Sequence, residues 1–162
     1  MRRDAATRVV EGLKEAGISF LTVLSESWLH EVHRQVVADS FFTVVPVANE
    51  SEGVGICAGT WLGGKKSAIL MENSGLRVAC ESLARLQGLP VLLLMSYRGD
   101  WGDEPWWAAG MGATAEPLLA ALRIPYRVVR REEDIVPMLT GAVRTINSHR
   151  SHAALLFGSE LM

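Results

Sequence analysis

Two cysteines in 162 residues are too few for a disulfide framework, and no C-x-x-C pair is present to hold a metal. Cys57 and Cys80 each lie in an apolar helical pattern and read as small buried hydrophobes. An excess of positive charge is missing too. Sixteen Lys and Arg against eighteen Asp and Glu give a formal net charge of -2, with the arginines scattered, so the basic face that a nucleic-acid backbone requires is absent. No apolar run reaches the length of a membrane span, and no membrane partner is expected. The two arginines of "MRRDAATRVV" have no apolar h-region behind them, which argues against a signal peptide and makes a cytoplasmic location the expectation. There is no G-x-S-x-G elbow. "HEVH" (30 to 33) falls one residue short of H-E-x-x-H, so its histidines read as part of a partly exposed helix face. His149 and His152 have no acidic cluster beside them in sequence, and nothing assigns them to catalysis.

What the sequence does hold is regular alternation. Apolar runs of strand length fall at 18–24, 42–48, 67–72, 90–96, 126–129 and 153–157, with helix-like stretches near 4–16, 26–39, 51–63, 75–87, 113–122 and 132–148. Continuous apolar strands alternating with helices imply a parallel sheet covered on both faces. The expectation is a single domain over 1–162: α/β, doubly wound, with a mainly parallel six-stranded sheet and helices on both faces. In such sheets ligands gather beyond the carboxyl ends of the strands. The loops there are "SES" (25–27), "NE" (49–50), "NSG" (73–75) and the long "YRGDWGDEPWWAAGMG" (97–112), which carries three of the five tryptophans and reads as a lid or a partner surface.

The second of these loops raises the sharpest question. In "VANESEGVGICAGTWLGG" (47–64) an apolar strand ends in Glu50 and Glu52 and runs into a helix with five glycines. Asn49 and Glu52 have the spacing of a capping box, which gives Glu52 a structural job. Glu50 falls in the first turn, where a plain solvated acid is an equal reading. Gly53, Gly55 and Gly59 each lower helix stability by about 0.8 to 1 kcal/mol relative to alanine. That loss calls for a close approach to a neighbouring backbone, a second subunit or a planar ligand. "GVGICA" also matches the dinucleotide fingerprint G-x-G-x-x-A, with Glu72 at the end of the next strand as a ribose contact. Against it, two carboxylates would face the pyrophosphate.

"NESEGVGICAGTWLGGKKSAILMENSGL", "GLPVLLLMSYRGDWGDEP" and "GMGATAEPLLAALRIPYRVV" together resemble the pyrimidine-binding (PYR) domain of thiamine-diphosphate enzymes, in the branch of the sulfopyruvate and phosphonopyruvate decarboxylases. The resemblance spans nearly the whole chain. It implies a lyase subunit that decarboxylates a 2-oxo acid, with acyloin formation as the alternative chemistry and a dinucleotide-binding module as the more distant one. It places Glu50 against a ring nitrogen of the cofactor's aminopyrimidine, where carboxyl and ring share a proton. It puts Ser25, Asn73, Ser74 and Gly75 on the cofactor side, and Arg98 toward an acidic substrate tail, beside the plainer reading of a solvated loop arginine. Two departures accompany it. "RGDWGDEP" is only superficially like the G-D-G of a diphosphate (PP) domain, and no asparagine pair follows. The resemblance therefore implies a separate partner chain that binds the diphosphate and Mg2+, in a heterotetramer or larger. Trp106 and Trp107 also stand where related decarboxylases have a histidine in a segment resembling "EPQH".

Overall fold

Each apolar run of the sequence is long enough for one strand and is flanked by turn residues, and six parallel strands result. The computed structural model describes residues 1–162. Its elements are α1 (Arg3–Glu15), β1 (Phe20–Val23), α2 (His30–Ala38), β2 (Thr43–Pro46), α3 (Glu50–Leu62), β3 (Ser67–Glu72), α4 (Gly75–Arg85), β4 (Leu92–Ser96), α5 (Ala109–Ala121), β5 (Tyr126–Val129), α6 (Glu132–His149) and β6 (Ala153–Phe157). A 3-10 turn, Trp106–Ala108, leads into α5. The strand order is β2-β1-β3-β4-β6-β5, and every neighbouring pair is parallel.

Side-chain alternation along the strands divides the interior in two. Leu70, Leu92, Leu94 and Leu155 join α1, α2 and α6 in one core, with Val9, Leu13, Val36 and Leu139. Ile69, Met71, Leu93, Met95 and Leu156 join α3, α4 and α5 in the other, with Val54, Leu76, Leu83 and Leu119. Both faces are covered, which is why β4 and β6 are apolar at nearly every position and buried throughout. At the sheet edge β2 is only partly buried, and it ends on Pro46, a residue an edge strand tolerates. No helix is long and apolar enough to cross a membrane.

The chain moves outward from β1 to β2 and then crosses back to β3 on the other side of β1, so the order reverses between β1 and β3. A crevice at the carboxyl ends of these strands is where such folds hold ligands. Helices α3 and α4 both start at this end.

Three details differ from the sequence expectations. Helix α2 begins at His30, not near 26, because the Glu26 carboxylate accepts the backbone N–H groups of Trp28 and Leu29 and builds a turn. The irregular part of the 97–112 segment ends at Pro105; "WWAAGMG" is helical in spite of its glycines. Cys57 is fully buried as expected, but Cys80 is only half-buried.

Candidate active site at the carboxyl edge of the sheet

Asn49 adopts an extended conformation and its Oδ1 accepts the Glu52 N–H at 3.0 Å, forming the cap that the sequence implies. Glu52 returns a bond through Oε2, but to the N–H of Ala48 (2.7 Å) instead of Asn49. Its carboxylate is thereby committed to the helix start. Glu50 is not. It is half-buried in the first turn of α3 and takes part in no ion pair or hydrogen bond within the chain.

The space beside Glu50 explains why α4 opens on glycine. A Cβ on Gly75 would fall inside the Glu50 side chain, 2.5 Å from Cδ and no farther from Cγ and Oε1. Ser51 Oγ donates to the Val78 carbonyl at 2.8 Å and fixes the start of α3 on α4. Glu50 is thus laid against a strip of backbone without a side chain. Gly75→Ala should push the carboxylate aside; if Glu50 is a reacting group, activity should fall at least about tenfold, since small misplacements of such a group are costly. Because Glu50 is partly exposed and can swing outward, the thermal midpoint should shift little. Unchanged turnover in this variant would show that the contact does not position the acid.

The remaining glycines divide. A Cβ on Gly53 would meet Ile69 Cδ1 at 2.6 Å, so here the close approach is between helix and sheet. Nothing within the chain lies within 4 Å of a Cβ placed on Gly55 or Gly59. The outer face they share is open, and Leu62 and, on α4, Val78 are exposed next to it. The dinucleotide reading of "GVGICA" is overturned by the same geometry. Its first glycine already lies inside α3, which starts at Glu50, whereas the motif needs that glycine in the tight turn between strand and helix.

A second cluster lies at the ends of β1, β3 and β4. Arg98 is 6% exposed, so it is not a solvated loop arginine. Its Nε donates to Asp103 Oδ2 at 2.9 Å, and Nη1 stands 3.8 Å from Glu72 Oε2. Its guanidinium carbon lies 4.8 Å from the ring centroids of both Trp28 and Trp107, a cation held between two aromatic faces. Within the chain the charge expected to meet a substrate tail is already matched. Asn73 is buried, with Nδ2 donating to the Arg98 carbonyl (2.8 Å) and Oδ1 accepting the Arg98 N–H (3.0 Å). Its side chain therefore fastens one loop to another. Ser74 Oγ donates to Glu72 Oε1 at 2.5 Å, and Ser25 is exposed.

The loop after β4 is closed on itself. A Cβ on Gly99 would lie 2.7 Å from the Gly112 nitrogen and closer still to the Ala108 carbonyl oxygen, so backbone meets backbone at its neck. Arg130 holds Asp100 through two bonds of 2.6 and 2.9 Å. Beyond this neck Trp101 and Trp106 are almost fully exposed. A lid that swung from its base would break both attachments, so the neck is fixed and only the tip is free to differ.

Sequence reasoning does not single out Glu26, Glu72, Asp103 and Trp28 as members of this cluster. The available signal is position, since Glu72 ends an apolar strand and Glu26 and Asp103 lie in the loops after two others. Burial raises the Glu26 carboxyl above its ordinary 4.5, against the hydrogen bonds from Trp28 and Leu29, and the Glu72 charge pushes the same way. Ser96 is fully buried nearby and its hydroxyl makes no hydrogen bond of normal geometry, although it lies close enough to favour the ionised Glu26. Glu26 binds its proton more tightly in the folded chain. That contribution to stability is complete below pH 4.5 and is lost as pH rises through the raised folded value. Denaturant unfolding of wild type and Glu26→Gln across this range should therefore show the wild type losing stability relative to the variant as pH rises.

No family model matches the chain. It is 38% identical over 133 residues to the alpha subunit of sulfopyruvate decarboxylase of Methanothermobacter thermautotrophicus, covering 80% of this chain and 81% of that one. It is 31% identical over 157 residues to the corresponding subunit of Methanococcus maripaludis, covering 94% of each. A phosphonopyruvate decarboxylase of Streptomyces viridochromogenes is 27% identical over 150 residues, 90% of this chain but 38% of that protein. Among solved structures, a 2-oxoglutarate:ferredoxin oxidoreductase from Magnetococcus marinus shares the fold with a TM-score of 0.72 at 16% identity, over 99% of this chain and 29% of that one.

Proposed function

The chain belongs to the family of sulfopyruvate decarboxylase alpha subunits, and from that premise we propose that it is the pyrimidine-binding subunit of a two-chain, thiamine-diphosphate-dependent 2-oxo acid decarboxylase in which Glu50 is the catalytic acid. One observation carries the reading: an uncommitted carboxylate at a helix start, lying against a residue that has to be glycine. That arrangement fits a cofactor that offers a ring nitrogen, because no other donor in the chain competes for Glu50. When bound, the cofactor supplies a nucleophilic carbon and an electron sink.

The work of this chain's own residues follows. Glu50 holds a proton between its carboxyl oxygen and the ring nitrogen, and Gly75 fixes where that oxygen lies. Ser25 and Ser74 border the same crevice, while Asn73 acts through the loop it fastens. The Arg98 cluster holds the tryptophan loop beside the crevice and limits water on that side. Carbon dioxide leaves the 2-oxo acid and an aldehyde is released. Sulfopyruvate and phosphonopyruvate are the substrate class, by the names of the relatives.

No group of three or more His, Cys, Asp or Glu gathers in this chain to hold a metal. In this reading Mg2+ and the diphosphate are held by a separate PP-domain partner chain. The open glycine face of α3, with Leu62 and Val78, is the seat for that partner, since a helix apolar on its outer side needs cover. The minimal assembly is a heterotetramer in the cytoplasm. The test is carbon dioxide release from sulfopyruvate or phosphonopyruvate by the chain mixed with its partner, thiamine diphosphate and Mg2+. Product analysis with and without an added aldehyde separates decarboxylation from acyloin formation. No release with either substrate would remove the proposal.

A further inference from the structure

The proposed function, on which this inference rests, needs a second acid. When the carbon–carbon bond to the departing carboxylate breaks, its electron pair stays with the carbon, and an aldehyde forms only once that carbon gains a proton. Glu50 is occupied with the proton it shares with the ring. We propose that Glu26 is the proton donor of this step: its carboxyl O–H breaks as the new C–H bond forms, and the carboxylate takes a proton from water before the next turnover.

Position comes first. Glu26 lies in the loop after β1, at the point where the strand order reverses between β1 and β3. A short series of contacts joins it to Glu50. Glu50 lies against Gly75, the preceding Ser74 donates to Glu72 Oε1, and the Glu72 charge acts on Glu26. The two acids therefore border one crevice from the ends of neighbouring strands. Glu26 is held there by the N–H groups of Trp28 and Leu29 and stays partly exposed, so its carboxyl has a fixed place and a way to the crevice.

Charge decides which acid keeps a proton. Glu26, Glu72 and Asp103 gather about one cationic side chain, Arg98, which is bonded to Asp103 at 2.9 Å and stands 3.8 Å from Glu72. Ser74 also donates to Glu72 and favours its ionised form. Glu26 enters no ion pair, so of the three it is the one left to hold the proton. Burial and the Glu72 charge act in that sense; the two backbone donors and the Met1 ammonium, which donates to the Trp28 carbonyl, act against it. Ser96 suits the state after transfer. Its fully buried hydroxyl has no hydrogen bond of normal geometry, yet lies close enough to favour ionised Glu26. Idle beside the protonated carboxyl, it becomes a donor to the carboxylate once the proton has gone.

Dichlorophenolindophenol separates proton delivery from the steps before it. This two-electron acceptor takes the electron pair in place of a proton, and water completes a carboxylic acid instead of an aldehyde. In the two-chain enzyme given sulfopyruvate or phosphonopyruvate, Glu26→Gln should lower aldehyde release at least about a hundredfold while dye reduction stays within about threefold of wild type. Glu50→Gln should lose both signals. Equal loss of the two in Glu26→Gln, or aldehyde release near the wild-type rate, would overturn the proposal and leave the role of Glu50 standing. A second readout needs neither cofactor nor turnover. NMR of the full chain carrying labelled glutamate, with the Glu26 signal identified by its loss in Glu26→Gln or Glu26→Asp, should show that carboxyl titrating above its ordinary 4.5. Glu72→Gln should bring the titration down. A Glu26 carboxyl that titrates at or below 4.5, or one that Glu72→Gln leaves unmoved, would overturn the proposal whatever the substrate.

Discussion

Glu50→Gln should lower turnover of the proposed two-chain enzyme by at least about a hundredfold, the scale of a lost acid-base contributor, and leave the unfolding curve of the chain where it was. The two halves of this expectation come from the same geometry. Glu50 makes no bond in the chain that glutamine would break, and the two side chains have one shape, so Gly75 accommodates both. What glutamine cannot do is hold a proton between its oxygen and a ring nitrogen. Glu52, in the same helical turn, predicts the reverse. Its carboxylate serves the helix start, so Glu52→Ala should lower stability by about 1 kcal/mol and leave turnover per folded enzyme near normal. Turnover within a few-fold of wild type in Glu50→Gln, with partner and cofactor present, would take Glu50 out of the reaction.

Arg98→Met should destabilise the chain by about 3–5 kcal/mol, the usual result of removing one member of a buried ion pair. Asp103 is left behind with a side chain only 4% exposed and a single remaining bond, from the Gly99 N–H at 2.7 Å. Methionine fills the slot between Trp28 and Trp107 but offers no charge. The penalty lies mainly in the abandoned carboxylate, so the double variant Arg98→Met/Asp103→Asn should recover part of the loss. Denaturant unfolding of the wild type and the two variants measures both effects. A loss below about 1 kcal/mol in the single variant would mean that water reaches Asp103, and that the pair is not buried in solution.

The fold is legible in the sequence because every strand is an unbroken apolar run between turn residues, and a sheet covered on both faces permits nothing else in its middle. The cap at Asn49 is legible because its partner sits at a fixed spacing. Glu50 stands out by chemistry, but its contact with Gly75 does not, since a helix and a strand separate them and neither pattern refers to the other. The starts of α2 and α5 differ from the sequence reading for local reasons. Glu26 looks like a helix residue until its carboxylate takes two backbone donors, and "AAGMG" looks like a loop until the Gly99 backbone packs against Ala108 and Gly112. Arg98 is the hardest to read. A lone arginine in a polar loop carries no sign in one dimension that Trp28, from the loop after β1, and Trp107, from the turn before α5, will enclose it.

The neck at Gly99 and Gly112 has a consequence for how this protein can diverge. A segment whose two ends are locked to each other by main chain can vary at its exposed tip with little effect on the sheet beneath. Its outermost positions, Trp101 and Trp106 among them, can be rewritten residue by residue with the scaffold indifferent to the outcome. Related proteins can then acquire new preferences by exchanging those outermost positions alone, provided both glycines and the Arg98 partners Asp103 and Trp107 stay.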